Sequence, residues 1–166
     1  MNKLLKSLTL GALGASGLCA VASTSDNPCA NGVQYVTTVL DKVPAEYGSP
    51  IPSASGTLKY CQQSKGAFIG EYTLTNLRPS RTYILTLNGK QNSPCNDAKY
   101  LSQFHPSSNN YFLDFSETVT NAAGNAVGEI SVLMPSGMCD VQFLVKDKVT
   151  WKGVLQKYNG VRFRVK

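Results

Sequence analysis

Hydrophobic and polar residues alternate along most of the chain after residue 32, which is the pattern of half-buried β-strands. Val141, Phe143 and Val145, for example, alternate with Asp140 and Gln142. No apolar stripe with a period of 3.6 residues persists for three turns, and only residues 152–158 could form a single helical turn. The pattern therefore predicts an all-β chain with eight strands near residues 33–40, 57–62, 68–76, 82–88, 111–118, 127–133, 139–146 and 161–165.

Two long segments between these strands are rich in proline, glycine, serine or asparagine, and we interpret residues 41–56 and 89–110 as loops. If successive strands alternate in direction, each connection can be assigned to one end of the domain. The hairpin at Lys65, the 89–110 loop and the 134–138 crossing then share one end with all four cysteines of the predicted mature chain. The 41–56 loop, the connection at residues 77–83, the turn at Asn121 and the loop at Trp151 share the other end.

The connection Leu77-Arg78-Pro79-Ser80-Arg81-Thr82-Tyr83 has the spacing Leu-x-Pro-x-x-x-Tyr between two predicted strands. It resembles the tyrosine corner of fibronectin type III and related immunoglobulin-like domains. The resemblance implies a single antiparallel β-sandwich of about seven to eight strands, with Leu77, Pro79 and Tyr83 as structural residues and the Tyr83 hydroxyl bonded to a nearby backbone group. The chain lacks the tryptophan that immunoglobulin domains place between two spaced cysteines.

A similar Leu-x-Pro-Ser spacing recurs from Leu133 to Cys139. Either the domain has two similar corners or an ancient duplication left a trace. The favoured interpretation is that crossings between strands favour turns that contain proline. On the alternation of strand direction, the two connections should lie at opposite ends of the domain.

Residues 1–22 have the features of a cleaved signal peptide: Lys3 and Lys6, an apolar run, and Ala20-Val21-Ala22 as a small-x-small site. Lipidation at Cys19 is disfavoured because the preceding residue, Leu18, is not small. We therefore expect a signal peptide (1–22), an N-terminal segment (23–32) and one β-sandwich domain (33–166). The product is predicted to be secreted and extracellular, with the periplasm or cell surface also compatible, and no later run is long enough to span a membrane.

Four cysteines remain after residue 22, which suits an oxidising compartment and two disulfides. The predicted pairs are Cys29–Cys139, which would clamp the N-terminal segment, and Cys61–Cys95, which would tie the long loop to the sheet. Four cysteines allow three pairings, so the other two remain open. A zinc site is disfavoured because no two cysteines are close in sequence and His105 is the single histidine.

The sequence offers no catalytic residue, metal site or cofactor. His105 stands in a loop without a nucleophile motif, and a copper site would need several histidines. A pair of carboxylates among Glu71, Asp114, Glu117 and Glu129 is formally possible, but such residues usually form the polar face of a sheet. After the signal peptide, fourteen basic residues face ten acidic ones without a basic run, which disfavours nucleic-acid binding.

Aromatic and basic residues gather instead in the loops at the end opposite the cysteines. The candidate ligand-binding residues are Trp151, Tyr158, Tyr47, Arg78, Arg81 and Lys152. The first hypothesis is a non-enzymatic secreted protein, expected to be a monomer, that contacts a partner protein or a cell surface. The alternative is a carbohydrate-binding module that uses these aromatic residues, and a hydrolase is the least favoured. For these loop residues themselves, the favoured interpretation is that Trp151 caps the core and the lysines are solvated.

Overall fold

The computed structural model describes Cys29 and residues 35–89, 112–134 and 136–166. The predicted signal peptide, most of the N-terminal segment and the loop with Cys95 and His105 lie outside these residues. The described part of the chain contains ten strands and no helix: β1 (Tyr35–Val39), β2 (Asp41–Lys42), β3 (Ser55–Cys61), β4 (Gln63–Ser64), β5 (Ala67–Thr75), β6 (Thr82–Gly89), β7 (Phe112–Val119), β8 (Ala126–Leu133), β9 (Gly137–Asp147) and β10 (Gly153–Val165).

The strands form two antiparallel sheets that pack face to face. The first has the order β1-β3-β5-β8, and the second has the order β2-β10-β9-β6-β7, with the short β4 added in parallel to β10. This arrangement confirms the predicted all-β, sandwich-like class. None of the described residues belongs to a helix long and apolar enough to cross a membrane.

The core lies between the sheets and is built mainly from alternate residues of the longer strands. In β9, Val141, Phe143 and Val145 point into the core, as the alternation predicts. The ring centroids of Phe68 in β5 and Phe163 in β10 are 4.6 Å apart across the two sheets. The even-numbered residues of β9 consequently lie on the outer face of the second sheet.

The connection at residues 77–83 closes as predicted. Tyr83 is completely buried, and its hydroxyl accepts a hydrogen bond from the backbone N–H of Arg78 at 3.1 Å. Thr120 completes the corner, because its hydroxyl donates to the Arg78 carbonyl at 2.6 Å and accepts from the Arg81 N–H at 3.0 Å. The corner is thereby joined to the chain that follows β7.

The two similar connections lie at opposite ends of the domain, which confirms the argument from strand direction. Leu77 follows the end of β5 and its N–H donates to the Gly124 carbonyl, whereas Met134 donates to the carbonyl of Gly66, just before β5 begins. The Asn121 turn and the Trp151 loop are both hydrogen-bonded to the corner end. The structure therefore places the connections of the described residues as the alternation predicts.

The largest difference from the predicted elements is β10. Residues 152–158 were interpreted as a loop with a possible helical turn, but the strand begins at Gly153 and continues for 13 residues. Its pairing with β9 is shifted between Lys157 and Val161, so Tyr158, Asn159 and Gly160 form a bulge. The polar residues of this segment give it a weak β-propensity, and its pairing with β9 stabilises the strand.

The predicted disulfide pairs are wrong, because the structure joins Cys29 to Cys61. The physical reason is the pairing of β1 with β3, which sets Tyr35, six residues after Cys29, opposite Cys61. Cys139, like Cys29 and Cys61, is in the disulfide-bonded state. The described residues thus contain one complete disulfide, at the predicted end of the domain.

Candidate functional site

A groove with a volume of about 930 Å³ lies on the outer face of the second sheet. Its floor comes from β6, β9 and β10, and one wall comes from the segment after β2. The described lining residues combine aromatic, amide and aliphatic side chains with one lysine: Tyr47, Trp151, Tyr158, Asn88, Gln142, Gln156, Val43, Pro44, Leu144, Gly153 and Lys146.

Trp151 stands at one end of this groove, in the turn between β9 and β10. Its backbone has φ = 59°, a left-handed conformation that costs free energy for a residue with a bulky side chain. The side chain is 58% exposed. The interpretation that Trp151 caps the core is therefore wrong, and the surrounding turn must compensate for the unusual backbone.

Asp147 provides this compensation from the end of β9. The side chain is 4% exposed, and its two oxygens accept hydrogen bonds from the Arg81 guanidinium, both at 2.9 Å. One of these oxygens also accepts the N–H groups of Val149 and Thr150 at 2.9 and 3.0 Å. The Trp151 N–H donates to the Asp147 carbonyl at 2.8 Å, so a single aspartate fixes the turn that presents the tryptophan.

The pKa of Asp147 reflects these contacts. Burial of the carboxyl raises its pKa, but the hydrogen bonds from Arg81, Thr150 and Val149 outweigh burial and lower the pKa from 3.8 to about 2. A carboxylate of this kind stabilises the folded state above the unfolded pKa, and its contribution is lost as the pH falls through the folded pKa.

We expect this single group to contribute about 2 kcal/mol to the free energy of unfolding at neutral pH. The contribution should disappear between about pH 5 and pH 2. Urea unfolding of the wild type and of Asp147→Asn across this range tests the assignment, because the variant should show a shallower dependence on pH. Equal slopes for the two proteins would contradict it.

Tyr158 and Tyr47 reach the groove from two irregular segments. The bulge of β10 sets Tyr158 opposite Gln142, and its side chain is 60% exposed. Tyr47 is 79% exposed and precedes Gly48, whose backbone bridges to Gly153 of β10. A side chain at residue 48 would come within 2.4 Å of the Gly153 carbonyl oxygen, so only glycine permits this close approach.

Three amide side chains cross the floor of the groove from strand to strand. The Asn88 amide donates to the Gln142 oxygen at 3.1 Å, and the Gln142 amide donates to the Gln156 oxygen at 2.7 Å. Each amide group carries two donors and an acceptor with two lone pairs. We call Asn88, Gln142 and Gln156 the amide ladder.

Lys146 contributes the charge at the tryptophan end. Its ammonium group pairs with Asp114 of β7 at 2.5 Å and lies 5.4 Å from the centroid of the Trp151 ring. This distance is within the range of a cation–π contact. Asp114 also accepts a hydrogen bond from the buried hydroxyl of Thr86 at 2.6 Å, so both members of the ion pair have fixed positions.

The structure brings three of the six predicted ligand-binding residues together and separates the other three from the groove. Tyr47, Trp151 and Tyr158 line it. Arg81 is engaged by Asp147, Arg78 is an exposed residue of the corner, and Lys152 is exposed beyond the turn; none of the three lines the groove.

Sequence reasoning missed the amide ladder and Lys146. The alternation of β9 did place Gln142 on the outer face, but it could not indicate that Asn88 and Gln156 from other strands lie beside it. Among the described residues no group of three or more His, Cys, Asp or Glu side chains could hold a metal ion.

Comparison of the chain with protein-family models, with curated proteins and with solved structures finds no match.

Proposed function

We propose that this chain is an exported, non-catalytic domain that binds carbohydrate in the groove of its second sheet. The observation that carries the proposal is the convergence of Tyr47, Trp151 and Tyr158 on one concave surface. These are the described aromatic side chains with the largest exposure, and they come from three separate segments of the chain.

The chemistry of the lining suits a sugar. An aromatic ring presents a flat apolar face with partial negative charge, on which the C–H groups of a pyranose ring can stack. The amide ladder lies beside these rings and can both donate to and accept from hydroxyl groups. A concave site lined by apolar groups with a few fixed polar groups is also the usual form of a small-ligand site.

The proposal agrees with the broader hypothesis of an exported protein that binds a partner without catalysis, and it specifies carbohydrate as the ligand. Contact with a partner protein is the competing outcome. The absence of catalysis remains a prediction from the sequence, and an assay for sugars released from bound polysaccharide tests it.

Replacement of Trp151 by alanine is expected to reduce retention on polysaccharides at least tenfold, since loss of a stacked aromatic group at a binding site commonly costs more than about 1.4 kcal/mol. A glycan array followed by pull-down with the retained glycans measures the effect. Tyr158→Ala should act in the same direction.

Tyr35→Ala is the matched control, because Tyr35 lies on the outer face of the other sheet, where it contacts Lys59. It should bind as the wild type does. If the wild type retains no glycan, the groove does not bind carbohydrate and a protein becomes the expected ligand.

Two finer features of the fold belong to the same proposal. The corner at Tyr83, with its hydroxyl bonded to Arg78, supports kinship with fibronectin type III and immunoglobulin-like sandwiches. The bonded state of Cys139 supports a second disulfide with Cys95, because Cys61 already pairs with Cys29 and Cys19 belongs to the predicted signal peptide.

A further inference from the structure

We infer that the groove takes a neutral glycan chain lying along β9, and that it discriminates against acidic glycans and against single sugars. This inference rests on the proposed carbohydrate binding and adds the class of ligand. Two observations support it: the ion pairs near the groove, and the positions of Trp151 and Tyr158 at its two ends.

Three cations on the outer face of β9 and β10 each pair with a carboxylate. Among the described lining residues Lys146 is the one Lys, Arg, Asp or Glu side chain, and it pairs with Asp114. Two further cations of β10 have the same arrangement, since Lys157 pairs with Asp41 at 3.4 Å and Arg162 pairs with Asp140 at 3.0 Å.

An acidic sugar would meet this arrangement at a cost. A uronate carboxylate would compete with Asp114 for Lys146, and the position of Asp114 is also fixed by Thr86. Like charges brought together at a partly desolvated site oppose binding. A neutral sugar, in contrast, leaves the pair intact and meets the amide ladder, which carries no net charge.

The length of the groove favours a chain over a single sugar. Trp151 lies over Lys146 at one end, and the bulge sets Tyr158 opposite Gln142 at the other. Lys146 and Gln142 are separated by four residues of one strand, which corresponds to about 13 Å. This distance exceeds one pyranose ring, and the volume of about 930 Å³ is near the upper end for small-ligand pockets.

The test compares soluble neutral polysaccharides, a β-glucan and a galactomannan, with the uronate polymers polygalacturonate and alginate, by calorimetry at low and high salt. Wild type should bind a neutral polymer with an affinity that salt does not change. Oligosaccharides cut from that polymer should bind at least tenfold more tightly than the monosaccharide.

Asp114→Asn makes the test sharper, because it removes the negative charge that pairs with Lys146 while the new amide oxygen can still accept from Thr86. The variant should gain affinity for uronate polymers by about tenfold, in a salt-sensitive manner, through a charge-assisted hydrogen bond to Lys146. Glu117→Gln is the matched control: it removes a carboxylate from the same strand that pairs with Lys148, outside the groove, and should show no gain.

Three outcomes would overturn the inference. Tighter binding of uronate polymers by wild type, with loss in Trp151→Ala, would refute the neutral class while carbohydrate binding itself stands. Equal affinity for the monosaccharide and the oligosaccharides would refute the chain arrangement. Failure of wild type to bind any polymer of either class would refute the carbohydrate function, and the inference with it.

Discussion

Replacement of Asp147 by alanine is expected to lower the free energy of unfolding by about 3 kcal/mol, the low end of the range for removal of one partner of a buried ion pair, because the Arg81 side chain is 28% exposed. The carboxylate holds the Arg81 guanidinium and the N–H groups of Val149 and Thr150. Alanine satisfies none of these donors, and the left-handed backbone of Trp151 loses the turn that compensates for it. Urea unfolding followed by circular dichroism measures the loss.

Two further variants distinguish the contribution of the Arg81–Asp147 pair from that of an exposed ion pair. Asp41→Ala removes a carboxylate that is 64% exposed and pairs with Lys157, so it should cost at most about 1 kcal/mol. Asp147→Asn keeps an oxygen that can accept the turn N–H groups and should fall between the two. A loss for Asp147→Ala no larger than that for Asp41→Ala would show that this aspartate does not anchor the turn.

Replacement of both Cys29 and Cys61 by alanine is expected to lower the free energy of unfolding by about 3–4 kcal/mol. The bond joins residues 32 positions apart, and in the chain-entropy account it stabilises the fold by restricting the unfolded chain. Alanine is chosen because both positions are buried and a serine hydroxyl would add its own cost there. Denaturant unfolding of the oxidised proteins measures the difference.

The variant leaves Cys139 unchanged, so the measurement isolates the Cys29–Cys61 bond. Non-reducing peptide mapping of the wild type provides the control, and it should recover Cys29 linked to Cys61. A double variant within about 1 kcal/mol of wild type would show that the N-terminal tether contributes little to stability.

Most of the fold could be predicted because it depends on local signals. The alternation of Val141, Phe143 and Val145 correctly indicates both the strand and its buried face. The Leu77 to Tyr83 spacing correctly indicates a closed corner. The predicted disulfide pairs were wrong because they depend on which strands become neighbours. The Cys29–Cys61 bond follows from the pairing of β1 with β3, and no local pattern in the sequence indicates that pairing.

The same distinction between local signals and strand pairing applies to the candidate site. Exposed aromatic residues in turns are visible in the sequence, so Tyr47, Trp151 and Tyr158 could be chosen before their positions were known. The amide ladder could not, because Gln142 and Asn88 are 54 positions apart and meet only through the pairing of β6 with β9. The charge of Arg81 makes it a candidate from the sequence, but in the structure its guanidinium is hydrogen-bonded to the buried carboxylate of Asp147 on another strand.

The bulge of β10 has a consequence for self-association. A long, regular strand at the edge of a sheet can pair with the edge of a second molecule and start aggregation. On one side, β10 pairs with two short strands of two residues each: β2 at residues 155–156 and β4 at residues 164–165. The bulge at residues 158–160 lies between these two positions and interrupts the regular strand there. The same three residues that bring Tyr158 to the groove therefore also protect this edge, so their removal would cost solubility together with the binding surface.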